Sequence, residues 1–141
     1  MTDAIVIKGR GAYPGIAEGE ALLCMDSVPG WGVAFDTRTG AIDEPGNSLY
    51  GQSVKGKVLI LNGSRGSTAF ATQFHRIRVA GVGPIALVIP RIDSRTGVVC
   101  VVSRVPAVTD LESDIFSVVQ NGDWLRVDGD AGSILIARKP S

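Results

Sequence analysis

The clearest pattern in the chain is a buried strand followed by an amphipathic helix and a second buried strand. Residues 57–61 form a nearly continuous apolar run, which predicts a central strand covered on both faces. The face of the helix is marked by four apolar residues at helical spacing: Phe70, Ala71, Phe74 and Ile77. Gly81 is the expected helix end, and residues 85–89 predict the next strand. Together these segments predict a βαβ unit with a right-handed crossover.

Many further short segments predict a strand-rich fold around this unit, because 18 glycines and 7 prolines divide the chain. The other predicted strands are residues 4–7, 17–24, 98–102, 123–128 and 133–137, the last two forming a hairpin. Residues 31–35 and 40–42 are expected to pair across a polar turn, and residues 114–119 predict a short helix or turn. Glycines at 9–11 predict a break in the chain. We therefore expect a single β-rich α/β domain over residues 1–141, built as a sandwich or barrel with one or two helices.

The composition is that of a globular domain with no strongly charged partner. Of the 141 residues, 45% are hydrophobic and 20% are charged, and the formal net charge is zero. Nucleic acids and anionic membranes are bound by basic surfaces, so neither is expected as a partner. The N-terminal residues lack the pattern of a signal peptide, and no apolar run approaches the roughly 20 residues of a membrane span. The expected location is the cytoplasm.

Side chains that bind metals are scarce. Cys24 and Cys100 both lie in apolar runs that predict strands, and we expect buried free thiols there. His75 is the only histidine, and it lies within the predicted helix, where a solvated side chain is expected. Zinc and iron–sulfur sites need three or four ligands, so we expect no metal bound by this chain alone.

The densest chemistry lies between the central strand and the helix, in the loop Gly63-Ser64-Arg65-Gly66-Ser67-Thr68. Ligands of α/β sheets bind at the carboxyl ends of strands, and the N–H groups of a helix N-terminus attract carboxylate or phosphate. Arg65 carries the planar fork that clamps a carboxylate. The loop lacks the Gly-Lys-Ser/Thr of a Walker phosphate loop and the Gly-x-Ser-x-Gly of a hydrolase elbow. A purely structural alternative stays open, since a serine before a helix is often only its N-cap.

Five further segments, taken in order, resemble one known family. They are Gly9-Arg10-Gly11, Pro14-Gly15-x-Ala17-Glu18-Gly19-Glu20-Ala21-Leu22, Trp31-Gly32-Val33, Thr39-Gly40-x-Ile42-Asp43 and Leu49-Tyr50-Gly51-Gln52-Ser53-Val54-x-Gly56-Lys57-Val58-Leu59. They lead directly into the Gly-Ser-Arg-Gly-Ser loop, and together they cover residues 9–70. In this order and spacing they resemble the small subunit of aconitase X.

The resemblance implies a swivelling β/β/α domain that works with a separate large subunit. That large subunit carries the cysteines that hold an iron–sulfur cluster or iron, and this chain binds no cofactor alone. The family's enzymes are hydro-lyases. Some dehydrate cis-3-hydroxy-L-proline to Δ1-pyrroline-2-carboxylate, and others dehydrate mevalonate 5-phosphate to an anhydromevalonate phosphate. Ser67 matches the serine that the family uses as proton acceptor.

The sequence departs from the family pattern at two places. Asn47-Ser48 stands where the family often has His-Pro, and Ser67-Thr68 is followed by Ala69-Phe70 where the family often continues with a second serine and Thr-Gly-Ser. The second departure leaves the alignment of the hydroxyl residues open by one position. Ser64 and Thr68 therefore remain alternatives to Ser67 as the base.

These residues fit the chemistry of dehydration. A base removes the proton next to the carboxylate of a hydroxy acid, an electrophile takes the hydroxyl group, and positive groups stabilise the growing charge. We assign Ser67 as the catalytic base and expect Ser64, Arg65, Gly66 and Thr68 to bind the substrate. The isolated subunit is expected to be inactive.

The expected substrate is cis-3-hydroxy-L-proline, with mevalonate 5-phosphate as the alternative. A phosphate favours additional basic residues, whereas the loop itself carries only Arg65, with Arg76 and Arg78 further along the helix.

Two other functions stay open. Residues 121–136 resemble the tail of phosphohistidine carrier domains, although those need a histidine at a helix start. The neutral charge and the tryptophans Trp31 and Trp124 also allow a non-catalytic binding or assembly module.

Overall fold

The computed structural model of the protein describes residues 4–67 and 69–137. Its elements, in chain order, are β1 (Ala4–Lys8), β2 (Arg10–Tyr13), β3 (Ile16–Cys24), β4 (Val58–Leu61), α1 (Phe70–Val79), β5 (Ala86–Ile89), α2 (Ser94–Ser103), β6 (Ala107–Thr109), a 3-10 turn (Ile115–Ser117), β7 (Trp124–Asp128) and β8 (Ser133–Ala137). The predicted βαβ unit is β4-α1-β5, and its two strands pair in parallel. None of the described helices has the length and apolar character needed to cross a membrane.

A single long strand, β3, joins two halves of the sheet. Residues 16–20 pair antiparallel with β7, whereas residues 21–24 pair in parallel with β4. The full strand order is β1-β8-β7-β3-β4-β5-β6-β2. The chain passes from β1 at one edge to β2 at the other through Gly9, where a Cβ would lie 2.5 Å from the Thr109 carbonyl oxygen. The two outer strands are therefore joined by one tightly packed residue.

The core has two layers, separated by the parallel half of the sheet. Along β4, Val58 and Ile60 face the antiparallel half, and they pack with Ile134 of β8 and other apolar residues. The alternate residues Leu59 and Leu61 pack on the helix side. All four β4 side chains are buried, which explains the uninterrupted apolar run. The layers are sheet, sheet and helices, which confirms the predicted β/β/α domain.

The helix α1 forms where its apolar period predicts it. Phe70, Phe74 and Ile77 are at most 1% exposed and pack in the core layer on the helix side of the sheet. Gly81 follows the helix with a φ of +76°, and the N–H of Val82 donates to the Ile77 carbonyl oxygen at 2.9 Å. This Schellman ending confirms the helix end predicted at Gly81.

The strand predicted at residues 98–102 is wrong, because these residues lie in the helix α2. Valine-rich runs favour strands, but Asp93 and Thr96 form a capping box that begins a helix. Val98 and Val101 are exposed, so the helix is apolar on its outer side as well. Because the outer side is apolar too, the sequence lacks the alternation of apolar and polar residues that marks a helix. For the same reason Cys100 lies in a helix and not in a strand.

The remaining local predictions are partly confirmed. The hairpin β7-β8 and the 3-10 turn within residues 114–119 form as predicted. The expected pairing of residues 31–35 with 40–42 is reduced to one bridge between Phe35 and Ile42. A break was expected at residues 9–11, but β2 begins at Arg10 and pairs with β6, so the glycines here permit close packing of strands.

Both cysteines are buried free thiols, as predicted. Burial, together with the negative charges of Asp26 and Glu44, raises the pKa of Cys24 to about 12. Burial also raises the pKa of Cys100 to about 11. Neither thiol ionises near neutral pH, so neither is a nucleophile in the folded protein.

Candidate active site

The loops that follow the parallel strands meet at one edge of the molecule. They are residues 25–34 after β3, residues 62–67 after β4 and residues 90–93 after β5. The Ser64 hydroxyl lies 3.4 Å from a carboxylate oxygen of Asp93, within hydrogen-bond distance across two of these loops. The predicted site loop thus lies at the carboxyl edge of the parallel strands, where ligands of such sheets bind.

The backbone at this edge holds three non-glycine residues in the left-handed region. Ser27 has a φ of 55°, Ser67 a φ of 72° and Asp110 a φ of 52°. Each such residue costs about 1–3 kcal/mol in backbone strain. Strain of this kind concentrates at functional sites, where the surrounding structure holds it in place.

Gly30 fixes the position of the loop that carries Ser67. A Cβ at Gly30 would lie 2.0 Å from the Gly66 carbonyl oxygen and 3.0 Å from the Ser67 Cβ. No side chain fits there, so the two backbones are in direct contact. Gly66 itself has a φ of +95°, which also favours glycine. The pair Gly30 and Gly66 holds Ser67 against the loop after β3.

The Ser67 hydroxyl is half-buried and does not cap the helix that follows. The N-cap of α1 is Ala69, whose side chain has no hydrogen-bonding atom. The Ser67 oxygen instead accepts a hydrogen bond from the Ala69 N–H at 3.2 Å. The N-cap explanation is therefore wrong for Ser67, which closes a local serine turn just before the helix. Thr68, predicted to bind substrate, lies outside the described residues.

Arg65 is engaged by a carboxylate of its own chain. Its Nη1 and Nη2 donate to the two oxygens of Glu44 at 2.7 and 2.6 Å. Hydrogen bonding from Arg65 lowers the pKa of Glu44, against the opposing effect of partial burial. The two-pronged clamp predicted for a substrate carboxylate is thus filled by Glu44. A substrate must displace Glu44 or use the outer N–H groups of Arg65.

A hydrogen-bonded network beneath Arg65 ties three loops together. The Asn47 side-chain amide is buried, and it donates to the Ser27 carbonyl oxygen at 2.9 Å and to Glu44 at 3.1 Å. The Ser27 hydroxyl donates to the Gly63 carbonyl oxygen at 2.7 Å. Asn47, one of the positions that depart from the family pattern, thus supports the site through Glu44 and Ser27.

Arg95, which the sequence reasoning missed, lies next to Ser67. Its Nε donates to the Ser67 carbonyl oxygen at 2.9 Å, and the side chain is exposed. Arg95 belongs to the first turn of α2, and the apolar residues 98–102 of this helix predict a strand. The spacing of Asp93 and Thr96 is the signal that would have revealed the helix and placed Arg95 at this edge.

Side chains that could bind a metal or carry a phosphate are few and scattered in the described part of the chain. Among residues 4–67 and 69–137, no three or more His, Cys, Asp or Glu side chains are grouped so that they could hold a metal ion. The described residues therefore do not fit an iron or iron–sulfur centre. His75 is exposed in the middle of α1, as expected, and is not at the helix start that a phosphohistidine carrier requires.

At this edge the Ser67 hydroxyl accepts a hydrogen bond from a backbone N–H, the same loop carries Arg65, and the first turn of α2 carries Arg95. Backbone N–H groups and guanidinium groups stabilise negative charge on oxygen, whether it belongs to a ligand or to the serine itself. The arrangement suits the removal of a proton from an anionic substrate. It forms one wall of a site, since Ser67 and Arg95 lie at the outer edge of the domain.

Comparisons with known proteins agree with this architecture. The family model of the aconitase X swivel domain matches residues 6–136. The phosphomevalonate dehydratase small subunit of Methanocella arvoryzae is 36% identical over 128 residues, covering 91% of this chain and 96% of the relative. That of Methanococcoides burtonii is 33% identical over 132 residues, covering 92% of this chain and 94% of the relative.

Solved structures agree as well. The crystal structure of Thermococcus kodakaraensis aconitase X in its holo-form superposes with a TM-score of 0.83 at 26% identity, covering 94% of this chain and 98% of the other. The chain therefore belongs to the aconitase X family, as a swivel domain of the kind that forms the small subunit of its dehydratases.

Proposed function

We propose that this chain is the small subunit of a dehydratase that acts on mevalonate 5-phosphate together with a large subunit. Relatives matched over nearly their whole length carry the name phosphomevalonate dehydratase small subunit. Their names favour the alternative substrate over the cis-3-hydroxy-L-proline expected from the loop alone. The observation that carries the proposal is the Ser67 hydroxyl, held before α1 without a capping role and next to Arg95.

In this proposal Ser67 is the base. Its oxygen, as the alkoxide, takes the proton from the carbon next to the substrate carboxylate. The electron pair of that C–H bond forms the new C=C bond, and the hydroxyl on the neighbouring carbon leaves as hydroxide. That hydroxide takes up the proton held by Ser67 and is released as water, which restores the alkoxide. A serine hydroxyl is a weak acid, so its alkoxide needs nearby positive charge and N–H donors. The Ala69 N–H donates to the Ser67 hydroxyl oxygen, and the Arg95 guanidinium, bonded to the carbonyl oxygen of the same residue, adds positive charge nearby.

Arg95 also supports the choice of a phosphorylated substrate. The expectation of a hydroxyproline substrate depended on Arg65 being the only basic residue close to Ser67. Arg95 adds a second arginine, and among the described residues it forms no ion pair, whereas Arg65 is held by Glu44. We assign the outer N–H groups of Arg95 to an anionic group of the substrate and Arg65 with Glu44 to the support of the loop.

The metal chemistry belongs, in this proposal, to the large subunit. The described residues do not fit a metal centre, so an iron–sulfur cluster or iron on the partner would supply the electrophile for the leaving hydroxyl group. This chain contributes the base, the N–H donors and the arginines. The isolated small subunit is expected to be inactive.

The test is co-expression with the cysteine-bearing large subunit from the same source, followed by assays on both candidate substrates. Mevalonate 5-phosphate should lose water, and cis-3-hydroxy-L-proline should not react. Activity on hydroxyproline alone would restore the first expectation. A stable complex that dehydrates neither substrate would contradict the dehydratase function and favour an assembly module.

The role of Arg95 is tested in the same complex. Arg95→Met should raise the KM for mevalonate 5-phosphate about tenfold to a hundredfold, the value of a hydrogen bond to a charged group. Arg126→Met is the matched control, because Arg126 is an exposed arginine on β7 in the antiparallel half of the sheet. An unchanged KM for Arg95→Met would remove Arg95 from the substrate site.

A further inference from the structure

Trp31 is the most exposed large apolar side chain in the described part of the chain, at 78% exposure. Val33 and Met25 in the same loop are also exposed, at 60% and 48%. Burying a tryptophan removes about 150–250 Å² of surface from water, so leaving one exposed forgoes a large stabilisation. An exposed tryptophan in a loop with two further exposed apolar residues is a candidate for a surface that another molecule covers.

The backbone holds Trp31 rigidly on both sides. On one side, Gly30 is in direct contact with Gly66 and Ser67. On the other side, the Gly32 carbonyl oxygen accepts a hydrogen bond from the Gln73 Nε2 at 3.0 Å. Gln73 is a buried residue of α1 and makes a second bond to this loop through the N–H of Ala34. A side chain whose backbone is already held in place loses little conformational entropy on binding, so Trp31 is suited to dominate the binding energy of an interface.

The contrast with Trp124 shows that Trp31 lacks a partner within its own chain. Trp124 is half as exposed, and its indole N–H donates to Glu18 at 2.9 Å. Among the described residues, the indole N–H of Trp31 has no acceptor. Tryptophan is enriched among the residues that dominate binding energy in protein interfaces, where both its ring and its N–H are buried.

The position of Trp31 identifies what covers it. Gly30, the residue before Trp31, is in direct contact with the backbone that carries Ser67, so the loop that presents the indole lies beside Ser67. In the proposed dehydratase, the surface that faces Ser67 belongs to the large subunit. We propose that Trp31 anchors this chain to the large subunit by inserting into an apolar pocket that offers a hydrogen-bond acceptor to the indole N–H. This inference rests on the proposed function for the identity of the partner.

The test measures binding separately from catalysis. Trp31→Ala should raise the dissociation constant of the two subunits by about thirtyfold or more, as expected for an interface anchor. Trp31→Phe, which keeps a ring and loses the N–H, should fall between Ala and the wild type. Trp124→Ala is the matched control and should bind as the wild type does. Thermal unfolding of each small subunit alone shows whether the variants are folded.

The outcomes separate docking from the proposed reaction. At saturating large subunit, Trp31→Ala should recover a near-normal kcat. An unchanged dissociation constant would overturn the proposal. If kcat were reduced as well, that result would place Trp31 against the substrate. A wild-type small subunit that self-associates through Trp31 would also overturn it, with a second copy as the occupant. Weakened binding in a complex that dehydrates neither substrate would leave docking intact and remove only the proposed reaction.

Discussion

The two helices begin at the same edge of the sheet, yet their N-termini are built in opposite ways. In α2, Asp93 accepts a hydrogen bond from the Thr96 N–H at 2.8 Å, and the Thr96 hydroxyl accepts one from the Asp93 N–H at 2.9 Å. In α1, the N-cap is Ala69, which has no capping side chain. The carboxylate of the N-cap residue Asp93 lies at the start of α2, whereas the N-cap residue of α1, Ala69, carries no charge.

In the proposed reaction, this difference gives the two helices different roles. The N-cap of α1, Ala69, carries no carboxylate, so the start of α1 can receive the negative charge of a substrate or of the Ser67 oxygen. The start of α2 is capped by Asp93, and α2 is a stable support from which Arg95 reaches the Ser67 carbonyl oxygen. Four changes would break or sharpen this contrast.

The largest expected effect comes from Ser67→Ala. Loss of the base should lower kcat of the reconstituted complex by about 10²–10⁴-fold, with the affinity for the large subunit unchanged. Ser94→Ala removes an exposed hydroxyl from the first turn of α2 and should leave kcat near the wild-type value. Ser64→Ala and Thr68→Ala test the two alternative bases. A near-normal kcat for Ser67→Ala, with a large loss in either of these variants, would move the role of base to that residue.

A second variant tests the packing that holds Ser67 in place. In Gly30→Ala, the new Cβ would meet the Gly66 carbonyl oxygen, so the loop must shift. We expect a loss of about 1–3 kcal/mol in the free energy of unfolding, measured in urea, together with reduced activity. Gly83→Ala is a control for the loss of a glycine, since Gly83, like Gly30, has no left-handed φ and a Cβ there would meet its neighbours only at 3.6 Å or more. Equal activity in the two variants would show that the contact with Gly66 does not position Ser67.

Adding a charge to the free helix start should reduce catalysis more than it alters folding. Ala69→Asp places a carboxylate beside the Ser67 oxygen and supplies α1 with the acidic group that α2 already has. We expect at least about a tenfold loss in kcat/KM, because like charges disfavour both the alkoxide and an anionic substrate. Ala69→Asn has a similar shape without the charge and should lose less. Steady-state kinetics of both variants check this, and equal losses would rule out charge as the cause.

The smallest effect concerns the capped helix and its dependence on pH. Partial burial raises the pKa of Asp93, but stronger hydrogen bonding from Thr96 and its neighbours lowers it overall. A lowered pKa in the folded state means that the stabilisation is present above the pKa of the unfolded chain. It is lost as pH falls through the folded value. The protection factors for amide exchange at the start of α2, which remove the pH dependence of the intrinsic exchange rate, should therefore fall at acidic pH.

The N-cap of α1, Ala69, does not titrate, so the protection factors at the start of α1 should show no matching fall at acidic pH. Asp93→Asn keeps an acceptor without a titrating group and should abolish the acid-dependent loss of protection in α2. Asp93→Ala should cost about 1 kcal/mol in the free energy of unfolding at neutral pH. Parallel acid dependence at both helix starts would show that Asp93 is not its source.

The two helices also show why some elements could be predicted and others not. The helix α1 has one buried face and a polar face, so its period is visible in the sequence. The helix α2 exposes Val98 and Val101, and its valines match the composition of a strand. Only the short capping signal at Asp93 and Thr96 distinguishes the two structures. Since the sequence predicts a strand in place of α2, it does not predict that Arg95 lies near Ser67.

The sequence by itself determined the buried strand β4, the amphipathic helix α1, the reactive composition of the loop between them and the family to which the chain belongs. These follow from local period, from glycine and serine spacing, and from the order of short motifs. They do not depend on which distant residues meet.

The tertiary structure alone decided how the site is assembled. It placed Arg95 against Ser67, filled the clamp of Arg65 with Glu44, and pressed Gly30 onto Gly66. It also left Trp31 exposed, next to the glycine that contacts Ser67. Each of these contacts joins loops that are far apart in the chain, and the loops meet only because the parallel strands end at one edge. The identity of a single residue does not reveal which distant residue will lie next to it in the folded protein.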